Sequence, residues 1–157
     1  MSDTRYGQPP VTALEPRPYQ NVSGVLGSRL FAWLVDIVVL FFLGWLVVFL
    51  LDLLGVVPFG ATWLLIPIAT VATALGYAAL TIGGRKQSTW GMRVAGLRVE
   101  TASGGRPDGL AAAVHALLFY VAAGTFLLWL VDVACGFARE DRRMGHDLLT
   151  GLVVVRT

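Results

Sequence analysis

Apolar residues gather in three long runs, at 25–51, about 60–82 and 109–136, and polar residues collect between and around them. The first run is interrupted only by Ser28, Arg29 and Asp36. At about 1.5 Å per residue its helix covers roughly 40 Å, enough to cross a bilayer with some tilt. Asp52, Gly55 and Pro58 end it, and a second span follows to Ile82. The third run has two solutions. As one helix it crosses the membrane. As two arms of about 20 Å broken near Gly124, each too short for roughly 30 Å of hydrocarbon, it is a re-entrant pair.

The polar segments orient these runs. Residues 1–24 carry Pro9, Pro10, Pro16 and Pro18 with no periodicity, so a disordered cytoplasmic tail is expected. The 83–108 segment holds Arg85, Lys86, Arg93, Arg98 and Arg106, whereas the 52–59 link has no Lys or Arg. The positive-inside rule therefore places this loop and the N-terminus in the cytoplasm. Within it, Leu97, Val99 and Thr101 alternate with Arg98 and Glu100, the period of a strand with one wet face, and Gly104-Gly105 supplies a turn. A β element over 93–101 is expected to pair with the strand-like Leu152–Val155. The 139–157 tail carries Arg139, Arg142, Arg143 and Arg156, which prefer the same side. Charge and strand pairing thus favour the re-entrant pair.

Composition narrows the class. The chain has 157 residues, of which 14% are charged, against about 25% in soluble domains. A soluble single domain is excluded. The fold expected is an all-α multi-pass membrane protein: two clear transmembrane helices, a third apolar segment, and a small cytoplasmic β element. One cysteine, Cys135, and two histidines exclude an internal disulfide and offer no zinc spacing. No cleavable signal, nucleotide loop or hydrolase triad is visible, so neither an enzyme nor a cofactor is expected. The net charge of +2, nearly all of its basic side Arg beside apolar runs, suits a membrane face better than nucleic acid.

Candidate chemistry centres on the first span. Arg29 and Asp36 are seven residues apart, hence on one helix face within about 20° and separated by roughly 10 Å. Direct contact at that distance is a stretch, so separate partners across the bundle are expected. An Asp at the centre of a membrane helix costs about 2.5–3.5 kcal/mol to insert. Asp36 is therefore either a structural pin bonded to a neighbouring helix or an ion- or proton-binding carboxylate in a watery vestibule. Asp52 fits an outer-face cap, and Asp132 and His115 fit interfacial positions. Ala69/Thr73 and Ala72/Gly76 form a flat face for helix packing, and Pro67 can kink the same span.

Three stretches together resemble the RDD membrane proteins, a family named for one arginine and two aspartates: SRLFAWLVDIVVL, STWGMRVAGLRVETASGGRP and DRRMGHDLLTGLVVVRT. The resemblance implies that Arg29 and Asp36 are the arginine and first aspartate, with Asp147 the second. Met92 and Leu148 stand where the family tends to have basic residues, and His115 where Arg is frequent. The resemblance further implies a multi-pass protein of the bacterial plasma membrane, for which ligand transport has been suggested and cation/proton antiport reported in some members. On this reading the tail brings His146 and Asp147 to Arg29 at the inner mouth of the bundle. Asp36 is left to exchange a monovalent cation for a proton. With no inverted repeat, so short a transporter would need a homo-oligomer. The alternative is a non-catalytic scaffold that binds another membrane protein or anionic lipid.

Overall fold

A computed structural model of the chain describes residues 22–53 and 62–157. The expected tail falls outside the described residues up to position 21, as do Gly55 and Pro58. Helix α1 spans Val25–Leu53 and α2 spans Thr62–Ile82. Both are long and apolar enough to cross a membrane. Leu30, Phe31, Leu34, Ile37 and Phe41 are exposed on successive faces of α1. A helix apolar all round has no wet side, which is the condition of a helix set in lipid.

The polar loop folds into two short elements. Helix α3 spans Trp90–Val94, and strand β1 spans Leu97–Thr101. The expected β element at 93–101 is thus too long at its start. Thr89 caps α3 by accepting the Met92 N–H at 3.1 Å, and the left-handed Gly96 separates helix from strand.

The third apolar run is not one helix. It divides into α4, Gly109–Gly124, and α5, Phe126–Ala138, around an extended Thr125 at φ −125° and ψ 106°. A further short helix, α6 at Gly145–Thr150, leads into strand β2 at Leu152–Arg156. Side chains of both α4 and α5 reach α6: His115 bonds Asp147, and Asp132 bonds His146. The two arms therefore fold back on each other. At about 1.5 Å per residue each is shorter than the hydrocarbon core.

Strands β1 and β2 pair antiparallel, Leu97 opposite Arg156 and Thr101 opposite Leu152. Their buried Leu97, Val99, Leu152 and Val154 join Val25, Ile82 and Ala112 in one core. The ribbon thus closes the end of the bundle where α1 begins and α2 finishes. Helices α2 and α4 meet backbone to backbone there, for a Cβ on Gly83 would lie 2.6 Å from Gly109 Cα.

Candidate functional site

Two polar clusters sit on α1, one around each charged residue. Asp36 faces α2 and α3. Its Oδ1 accepts the Tyr77 hydroxyl at 2.7 Å and the Gly91 N–H at 2.8 Å, and its Oδ2 accepts the Thr89 hydroxyl at 2.6 Å. Both hydroxyls are also acceptors: Tyr77 takes the Trp90 N–H at 2.8 Å and Thr89 takes that of Met92. Their own protons are therefore committed to Asp36. This close seating needs a glycine, since a Cβ on Gly91 would stand 2.0 Å from the Ala32 carbonyl oxygen. Asp36 thereby joins α1, α2 and α3 through neutral donors alone.

The second cluster gathers around Asp147, which is fully buried on α6. Arg29 reaches across from α1 with both guanidinium nitrogens, Nη1 to Oδ2 and Nη2 to Oδ1 at 2.9 Å. Oδ1 also accepts from His115 Nε2 of α4 at 2.7 Å, and Oδ2 from the Met144 N–H at 2.8 Å. Four donors, two from α1, one from α4 and one at the α6 entry, thus converge on one carboxylate. Burial alone would raise its pKa; the Arg29 guanidinium and the His115 bond override this and hold the group well below the usual carboxylate range.

His146 links this cluster to α5. Its Nδ1 lies 2.8 Å from Asp132 Oδ2 and 2.9 Å from Oδ1, while its Nε2 stands 3.2 Å from Arg29 Nη2. Asp132 also accepts the His146 backbone N–H at 2.7 Å. The residues read as interfacial are consequently buried: Asp132 and His115 each keep about 5% of their surface exposed. What removes them from the interface is the return of α6 against both arms. Arg29 and Asp36 share a helix face and do not share a partner.

Sequence reasoning missed Tyr77, Thr89 and Gly91 around Asp36. Thr89, three residues before the Met92 N–H it accepts, is the usual type for a helix cap, and that signal was available. Tyr77 gave none, because its partner lies 41 positions away.

His115, His146 and Asp147 present donor atoms within 4.8 Å of one another, a spacing that suits a metal ion. Arg29 Nη2 already contacts two of the three, and a guanidinium there repels a cation. In this arrangement His146 and Asp147 are partners of Arg29, and His115 is a partner of Asp147.

A mostly helical chain with two membrane-length apolar helices, a small β ribbon and charged residues pinned inside is a membrane protein of the helical class. The RDD family matches residues 24–151, which takes in both polar clusters. The chain belongs to the RDD family. No curated protein and no solved structure matches it.

Proposed function

We propose that this chain is a multi-pass assembly module of the bacterial plasma membrane. Its N-terminus, its 83–108 loop and its C-terminus face the cytoplasm, and it holds an apolar helix of a membrane-protein partner. The observation that carries this is an open groove of about 450 Å³ between the outer parts of α1 and α2, lined by Val47, Leu51, Ile68, Ala69, Ala72 and Thr73. It runs into a second depression of about 720 Å³ that reaches Gly76, Tyr77 and Trp90. The small residues expected to make a flat packing face therefore line an open surface between α1 and α2. Helices in lipid associate through such close packing. Asp36, Asp132 and Asp147 serve as internal ties, which supports a fixed clasp rather than a carrier.

The rival reading is cation/proton exchange. The chain of ionisable groups from Asp132 through His146 and Arg29 to Asp147 and His115 favours it. One pair of measurements separates the two. Chemical crosslinking in native membranes should trap a different membrane protein, and Ala72→Leu with Gly76→Leu should abolish the adduct. Vesicles holding the pure protein should show no exchange of monovalent cations for protons. Exchange by a homodimer, lost in Asp36→Asn, would replace the assembly reading.

A further inference from the structure

The five cations of the 83–108 loop are not equivalent. Arg106 is committed to the end of α2, where its Nε donates to the Gly83 carbonyl at 3.0 Å. Arg98 pairs with Glu100 at 2.6 Å on the wet face of β1. Arg85 and Lys86, in the turn that follows α2, are exposed and pair with no described residue. Arg93 is half committed. Its Nε donates to the Ser88 carbonyl at 3.1 Å, and neither Nη atom has a hydrogen-bond partner among the described residues. No Asp or Glu occurs between Gly83 and Ala95, so these three charges are uncompensated within their own segment.

The same three border an apolar step. Arg93 Cζ lies 5.2 Å from the ring centroid of Trp90, which is 58% exposed. Val94, one turn further along α3, is exposed as well, and so is Leu80 in the last turn of α2. Leu80 and Trp90 line the same depression. The Ser88 contact holds Arg93 beside the backbone that carries Lys86, since Ser88 Oγ in turn donates to the Lys86 carbonyl at 2.9 Å. Indole, apolar side chains and cations thus meet at one level, the end of a membrane-length helix. Indoles gather at the headgroup level of a bilayer, and a guanidinium lying on an indole keeps its outer N–H groups for a phosphate.

We propose that this corner binds the headgroup of an anionic phospholipid. The two Nη atoms of Arg93 donate to the phosphate oxygens, a match of fork to tetrahedron that an ammonium lacks. Lys86 and Arg85 supply neighbouring positive charge, and the acyl chains lie on Leu80, Trp90 and Val94. A zwitterionic lipid brings an ammonium of its own, which three cations repel. A free anion gains none of the apolar contact. The site does not rest on the partner helix assigned to the groove, and the test contains no such partner.

The full chain, purified alone, is placed in phosphatidylcholine nanodiscs that hold a small fraction of lipid brominated on its acyl chains, which quenches nearby tryptophan. The Trp90 signal is the difference between wild type and Trp90→Phe. Brominated phosphatidylglycerol should quench it several-fold more than the same fraction of brominated phosphatidylcholine. A basic side chain near an anionic surface is worth roughly fivefold in binding, so Arg85→Gln with Lys86→Gln should weaken the phosphatidylglycerol interaction roughly 25-fold and remove the preference. Arg93→Lys, which keeps the charge and loses the fork, should reduce it. Equal quenching by the two lipids in wild type overturns the proposal, whatever the variants do. So does a preference that survives in the double variant or is undiminished in Arg93→Lys. Loss of the preference in millimolar inorganic phosphate would assign the corner to a free anion and overturn the lipid.

Discussion

Asp36 and Asp147 meet the same problem, a carboxylate away from water, with opposite solutions. Asp147 is held by a cation, and Asp36 by two hydroxyls and one backbone N–H. Asp147→Asn would strand Arg29 beside a buried amide. Breaking a buried ion pair costs about 3–5 kcal/mol, so a loss of that order is expected in reversible unfolding from detergent micelles. Asp36→Asn keeps one acceptor oxygen but turns an N–H₂ on the other side, against the Thr89 or the Tyr77 hydroxyl, whose proton has no other direction. The expected loss is about 1.5–3 kcal/mol, the value of hydrogen bonds to a charged group, seen in the same unfolding assay. Asp147 also responds to acid. The folded pKa of Asp147 is depressed, so its stabilisation is complete above about pH 4, the unfolded value, and falls away as pH drops through the folded one. Wild type should lose stability below pH 4 by a term that Asp147→Asn lacks. Equal acid slopes in the two proteins would show that the Arg29 pair is not what holds the group down.

At the scale of elements, length decides what can be read in advance. Helices α1 and α2 announce themselves because each run of more than twenty residues holds only a few polar ones, and β1 because Leu97–Thr101 alternates. The split at Thr125 left only a weak trace, since glycine and threonine are ordinary in membrane helices; the charges of the tail were the better guide. Helix α3 has five residues and α6 six, too few for a hydrophobic period to register. Without α6 there was no reason to bury Asp132, whose partner is 14 positions further on. The Arg29–Asp147 pair, 118 positions apart, was legible only through the family resemblance. Helix α3 depends on one residue without a side chain. Gly91→Ala should push α3 off α1, because its Cβ meets the rigid backbone of Ala32. Faster proteolysis and amide exchange across 88–95, with α2 and α4 unchanged, is the expected result. An unaltered exchange pattern would mean that α1 can bend to admit a methyl.

For the whole molecule the β ribbon fixes which ends of the chain share a side. β1 follows α2 and β2 ends the chain, and their five residue pairs require both to lie at one membrane face. Arg156 extends that constraint to the start of α1, donating from Nε to the Ser23 carbonyl at 2.8 Å and from Nη2 to the Ser28 hydroxyl at 3.1 Å. In the orientation proposed above, the loop charges Arg85, Lys86, Arg93, Arg98 and Arg106 put all three on the cytoplasmic face. Reporters that are active only in the cytoplasm, placed before Met1, at the exposed Gly104 turn and after Thr157, should therefore all signal in intact cells. A chain in which 109–138 crossed as one helix would silence the last reporter alone and could not form the ribbon. Losing the ribbon would also undo the seat of α6, since Gly151 passes directly from that helix into β2 through a left-handed turn at φ 66°. The hairpin of α4 and α5, the Arg29 clasp and the sidedness of the C-terminus thus stand or fall together, and that third reporter measures all of them at once.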